Sequence, residues 1–209
     1  MDVQLLQSRA QNLLTDATCL DISPLRLAIR RKEFTLLNFL AESGFTHDLD
    51  QVVIEALNVN DEVVLSILAP YAQNCLVQFC ECGNIYSVIT LIEYGCQLDI
   101  PDDRGCLALV RAISCGHTSI AKLLLKAGCS PDLPEWKSVV DIYGTTKVLV
   151  YPFHAALAAG NIEIIRMLED QCAVCIESSH LDSLQLSYLP KRSDLVIKIE
   201  QLQAENCIR

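Results

Sequence analysis

The chain has 209 residues, with 16 Lys and Arg against 26 Asp and Glu, a formal charge of −10 at pH 7. Apolar residues make up 51 % and charged ones 20 %, which excludes a largely disordered chain. The acidic balance argues against nucleic acid as a partner, because no excess of cations is available to displace counterions from a phosphate backbone. No apolar run reaches the roughly 18–20 residues of a membrane span: Val63-Val64-Leu65 follows Asp61-Glu62, and Leu123-Leu124-Leu125 stands between Lys122 and Lys126. Met1-Asp2-Val3-Gln4 carries no basic, apolar leader. A reducing compartment is therefore expected, cytoplasmic with the nucleus left open, where the eleven cysteines stay thiols.

In chain order, Leu5, Leu6, Leu13 and Leu14 predict an N-terminal helix over residues 2–15. Ser23-Pro24-Leu25-Arg26-Leu27-Ala28 opens a helix pair, with proline where its missing N–H costs nothing. Leu36-Leu37-Asn38-Phe39-Leu40 and Gly44 follow in phase. A degenerate second copy runs through Val53-Ile54-Glu55-Ala56, Asn60-Asp61 and Val64-Leu65-Ser66-Ile67-Leu68. The third and fourth copies are the clearest. Gly83 and Gly116 lie 33 residues apart, and Gly95 and Gly128 repeat that spacing, each followed by a cysteine (Cys96, Cys129) and then an aspartate (Asp99, Asp132). Val88, Ile89, Leu91 and Ile92, matched by Ala121, Leu123, Leu124 and Leu125, have helical spacing.

Gly83, Gly116 and Gly160 are expected to end the first helix of each pair in a left-handed conformation, and Gly44, Gly95 and Gly128 the second. Lys32 and Asn60 occupy the first of these positions in the two leading copies, and Cys172 the second in the last, so the leading copies should be less regular. Forty-four residues separate Gly116 from Gly160, eleven more than the preceding period. The extra residues include Ser138-Val139-Val140-Asp141-Ile142-Tyr143 and Lys147-Val148-Leu149-Val150, which predict a hairpin with Gly144 first in a tight turn. Beyond it come Tyr151-Pro152-Phe153-His154-Ala155-Ala156 and Ile164-Ile165-Arg166-Met167-Leu168. Ser193-Asp194 can cap a final helix carrying Leu195, Val196, Ile199 and Leu202.

These residues resemble the ankyrin-repeat family. Asp102-Asp103-Arg104-Gly105-Cys106-Leu107-Ala108-Leu109-Val110-Arg111-Ala112 fills the family's Asp-x-x-Gly-x-Thr-Pro-Leu-His-x-Ala frame, with Leu107-Ala108 for Thr-Pro and Val110 for His. The resemblance implies an all-α solenoid of about five stacked helix-turn-helix repeats in a single domain over 1–209. The repeats are placed at about 20–47, 48–70, 71–101, 102–132 and 148–176, with a C-terminal cap over 177–209. The hairpin, at about 136–150, becomes an elongated form of the family's β-turn finger.

Blander readings weigh against chemistry. Cys172 and Cys175 with His180, or Cys80 and Cys82 with Cys75, have some zinc character, but Cys96 and Cys129 share one repeat phase and Cys82 and Cys115 another, as small apolar fillers do. Cys115-Gly116-His117 imitates a thiol–imidazole pair, yet His117 stands at the family's structural Gly-His, and His154 belongs to the turn motif. Asp102-Asp103 and Asp61-Glu62 read as turn and helix-start residues on a solvated face. No catalytic, cofactor-binding or metal site is expected.

The resemblance instead implies a protein-binding module, monomeric on its own, an adaptor or scaffold that uses finger tips and first-helix surfaces. By position these are Arg30, Arg31, Asn58, Glu81, Cys82, Asp103, Arg104, Cys106, Ser114 and Cys115, with Trp136, Lys137, Tyr143 and Lys147 on the finger. The alternative is a substrate-recruiting subunit of a cullin-type ubiquitin ligase. Leu184-Gln185-Leu186-Ser187-Tyr188-Leu189-Pro190 is similar to the tail of ankyrin proteins ending in a SOCS box, without that box's Leu-x-x-x-Cys-Arg signature.

Overall fold

The computed structural model describes residues 3–45, 48–141 and 144–172. The chain divides into two compact units, Met1–Phe79 with Tyr86–Gln97, and Cys80–Ile85 with Leu98–Arg209.

In the first unit, α1 (Val3–Leu20) is followed by α2 (Pro24–Arg30), α3 (Phe34–Glu42), α4 (Leu49–Val59) and α5 (Glu62–Leu68). A 3₁₀ turn, Ala69–Tyr71, leads directly into α6 (Gln73–Cys82), whose residues from Cys80 on belong to the second unit, and α7 (Ile85–Glu93), from Tyr86 on, closes the set. First helices pack on first helices (α2 on α4) and second on second (α3 on α5), while α1 covers α2 and α3. The helix α1 is longer than the spacing of its leucines predicts. It buries Ala10, Leu13 and Ala17 and leaves Leu5 exposed, because the covered stripe follows the small residues that let α1 approach α2 and α3. Surface ion pairs Arg9–Glu33 (3.0 Å) and Arg31–Asp16 (2.9 Å) flank that contact.

The departures from glycine do not change the backbone. Lys32 has φ 57° and Asn60 φ 53°, the same left-handed region as Gly83, Gly116 and Gly160. The degenerate second copy is also fully packed, since Leu65 and Leu68 are completely buried, as is Leu124 of the fourth. Asp61 caps α5 by accepting the Val64 N–H at 3.2 Å.

In the second unit, α8 (Ala108–Ser114) and α9 (Thr118–Lys126) precede β1 (Glu135–Asp141) and β2 (Gly144–Val150), followed by α10 (Pro152–Ala159) and α11 (Ile162–Cys172). Here α10 packs on α8 and α11 on α9, so the same first-on-first and second-on-second stacking recurs. Leu109, Ile113, Ile120, Leu124, Ile164, Ile165 and Leu168 form its core. Short, small-faced first helices carrying Ala112, Ala155 and Ala156 permit close stacking.

The hairpin exists, but its turn lies elsewhere than Gly144-Thr145. The strands are antiparallel with Glu135 opposite Val150 and Asp141 opposite Gly144, so Gly144 is a paired strand residue. The register is set at the base, where both Glu135 and Val150 are buried. Tyr143, the C-terminal cap and the SOCS-like segment lie outside the described residues.

Candidate interaction surface

In the first unit, the exposed sides of α2 and α4 enclose a groove of about 540 Å³, within the size range of small-ligand and side-chain pockets. Ile29, Val52, Ala56 and Val64 line it, and Val59, 74 % exposed, stands at its mouth. The polar lining is Arg26, Arg30, Glu55, Asn58 and Asp61. Most of these charges are engaged. Arg26 pairs with Glu55, which also accepts from the Gln51 amide, and Asp61 serves the α5 cap. Arg30 is exposed, and among the described residues it has no ion-pair partner.

The second unit contains a chain of charges. Asp102, 7 % exposed, organises the turn before α8 by accepting the N–H groups of Arg104 (3.0 Å) and Cys106 (2.8 Å) through Oδ1. The Arg104 guanidinium donates to Asp102 Oδ2 at 2.8 Å and to Glu81 Oε1 at 3.1 Å, and both carboxylates raise its pKa. Arg111 reaches the same Glu81 oxygen with Nε at 3.7 Å and Glu135 Oε1 with Nη2 at 3.1 Å. Burial disfavours the Arg111 charge, but Glu135 and its other acidic neighbours outweigh that cost and raise its pKa. Glu135 Oε2 accepts the Leu107 N–H at 3.0 Å. Leu107 is the N-cap of α8 and has no capping side chain, so the hairpin base supplies a carboxylate to that helix N-terminus.

His117 and the buried cysteines are structural. The His117 ring lies over Gly83, where a Cβ would fall 2.6 Å from Cε1, and Nε2 donates to the Glu81 carbonyl at 3.0 Å. It is thereby committed to the preceding turn rather than to a thiol. Burial pushes the Cys96 thiol up to about 12 and raises Cys75, Cys106 and Cys129 as well. Cys75 and Cys129 are raised further by donating to Asp50 and Asp99. Such thiols are poor nucleophiles. His154 packs edge-to-face on Tyr151 at 5.3 Å within the turn motif. Among the described residues, no group of three or more His, Cys, Asp or Glu side chains is placed to hold a metal ion. Cys172, Cys175 and His180 are not among the side chains described.

A family model for ankyrin repeats (three copies) matches residues 25–135, just over half of the chain. The chain belongs to the ankyrin-repeat family. No curated protein matches it. Among solved structures, an ankyrin repeat domain from Acinetobacter baumannii AYE is similar at 22 % identity, with 80 % of this chain and 97 % of that chain covered and a TM-score of 0.41. Ankyrin repeats are a general protein–protein interaction module, and the family is generally non-enzymatic. Among the described residues no single helix is long and apolar enough to cross a membrane.

Within this ankyrin frame, the surface positions expected from sequence separate into groups. Arg30 and Asn58 meet in the α2–α4 groove. Arg31 is engaged with Asp16 instead. Glu81 and Arg104 form an ion pair within the charge chain. Asp103, Ser114, Cys82 and Cys115 are exposed. Cys106 is a correction: it is 6 % exposed, because its N–H is drawn to Asp102 and its sulfur lies 2.9 Å from Arg111 Nη2. Cys82 and Cys115 are not fillers either, unlike Cys96 and Cys129, which are buried. Asp102 is buried and not on a solvated face. Trp136, Lys137 and Lys147 stand in the strands opposite Leu149, Val148 and Ser138.

Sequence reasoning missed Arg26, Glu55 and Val59 of the groove, and Asp102, Arg111 and Glu135 of the charge chain. The signal for Glu135 was its place directly after Pro134, as the first residue of the strand.

Proposed function

We propose that this ankyrin-repeat chain is a non-enzymatic, cytoplasmic adaptor, monomeric on its own, that binds another protein through its first-helix surface and its long finger. The observation that carries the reading is the α2–α4 groove, which joins an exposed valine, Val59, to a cation, Arg30, that has no ion-pair partner among the described residues. Burial-raised thiols and a histidine committed to a turn favour binding over catalysis. The finger adds seven-residue strands rich in β-branched residues beside the repeats of its unit.

Replacing residues 136–149 by a short Gly/Asn turn tests the finger, since it leaves the buried Glu135 and Val150 in place. Partners captured from lysate by the full chain are identified by mass spectrometry, and their affinity is measured for the intact and shortened proteins. Loss of affinity with an unchanged melting temperature supports a binding finger. Unchanged affinity in a stable variant removes the finger from the proposal.

A further inference from the structure

Resting on the reading of the first-helix surface as a binding face, we propose that the α2–α4 groove takes a short acidic–aliphatic segment of a partner protein. One carboxylate of the segment pairs with Arg30, and a neighbouring branched aliphatic side chain packs against Val59 and the apolar lining.

The charges argue for this occupant. Glu55 is held by Arg26, and the Asp61 carboxylate caps α5 through the Val64 N–H, where the helix N-terminus offsets its charge, so among the described residues Arg30 is the lining cation without an ion-pair partner. A single negative charge complements it. A doubly charged phosphate would set twice the negative charge against the Glu55 and Asp61 carboxylates of the same lining, so like-charge juxtaposition disfavours it relative to a single carboxylate. The apolar half follows from Val59. An aliphatic side chain 74 % exposed beside Ile29 and Ala56 gains by being covered, and the groove accommodates one or two branched side chains. A basic segment is disfavoured even though the whole chain is acidic, since it would meet the like charge of Arg30 while Glu55 is held by Arg26 and Asp61 by the α5 N-terminus.

The test is selection of displayed random twelve-residue peptides on the full chain, followed by titration of a synthetic consensus peptide. The proposal expects peptides with Asp or Glu within three residues of Leu, Ile or Val. Arg30→Glu and Val59→Asp should each weaken the consensus peptide about tenfold or more, and a Lys-for-acid version of the peptide should regain affinity for Arg30→Glu. Both positions are exposed, and circular dichroism checks that the variants keep their helix content. Peptides that tolerate an amide in place of the acid, prefer a phosphoryl group, or bind both variants unchanged overturn the proposal. If selected peptides bind only through the finger, the groove proposal falls while the adaptor reading stands. If no peptide is enriched, the groove proposal falls, and the adaptor reading is then judged by its own captured partners.

Discussion

Arg111 Nη2 lies 3.1 Å from the buried Glu135 carboxylate, so a residue of α8 holds the first residue of β1. Removing the acid leaves a three-quarters-buried guanidinium and the Leu107 N–H without their shared acceptor. Glu135→Ala is expected to cost about 2–3 kcal/mol in urea unfolding, below the range for fully buried pairs because Arg111 keeps some solvent contact. A double-mutant cycle with Arg111→Ala should give a coupling of about 1 kcal/mol or more. Additive losses would show that the two side chains act independently.

Lys32 adopts φ 57°, a conformation that an L side chain pays for and glycine does not. Lys32→Gly should raise stability by about 0.5–1 kcal/mol, the left-handed penalty less the added entropy of the unfolded chain. Asn60→Gly should gain less, because asparagine tolerates this region better. A fall in the urea midpoint for Lys32→Gly would mean that its side chain has a compensating contact.

Gly83 and Gly105 have nearly the same φ, 76° and 78°, but only Gly83 lies under an imidazole. Alanine at either position carries the left-handed cost of about 1–2 kcal/mol. Gly83→Ala should lose more, since its Cβ would sit 2.6 Å from His117 Cε1, whereas nothing lies within 4 Å at Gly105. Introducing His117→Ala into the Gly83→Ala background should remove the excess. Equal losses at the two glycines would refute the steric account.

Thiol reactivity should follow burial. At pH 7.5, alkylation of the native protein with peptide mapping should label Cys19, Cys82 and Cys115, leaving Cys75, Cys80, Cys96, Cys106 and Cys129 until unfolding. The raised pKa values also fix a sign. An unfolded thiol ionises near its ordinary value of about 8.5, while Cys96 stays protonated to about 12. The stability linked to these thiols is therefore complete below pH 8.5 and declines as pH rises toward 12. Replacing Cys96 by Ala should flatten that alkaline decline, and an unaltered slope would contradict it.

The helix pairs were legible because the glycine phase marks both helix ends, and even the departures kept their meaning: Lys32 and Asn60 take the backbone of the glycines they replace. The turn of the hairpin was misplaced because glycine chemistry pointed to Gly144, whereas the register answers to burial of Glu135 and Val150 at the far end of the strands. That constraint is tertiary and invisible to local propensity. Of the candidate surface, Arg30 and Asn58 followed from repeat phase. Their neighbours Arg26, Glu55 and Val59 did not, because which side of a degenerate helix faces a groove depends on how its neighbour is seated. Cys106 misled for a similar reason, since its turn position suggests exposure while Asp102 draws its backbone inward.

The finger also has mechanical meaning. Strands of seven residues, rising about 3.3 Å per residue, make an arm of roughly 23 Å. A swing of about ten degrees at its foot carries the far end through about 4 Å, the scale of a side-chain contact. Force applied to the far end is delivered, with leverage, to Glu135 and through it to the first turn of α8. A protein gripping this arm would pull on a helix terminus it never touches.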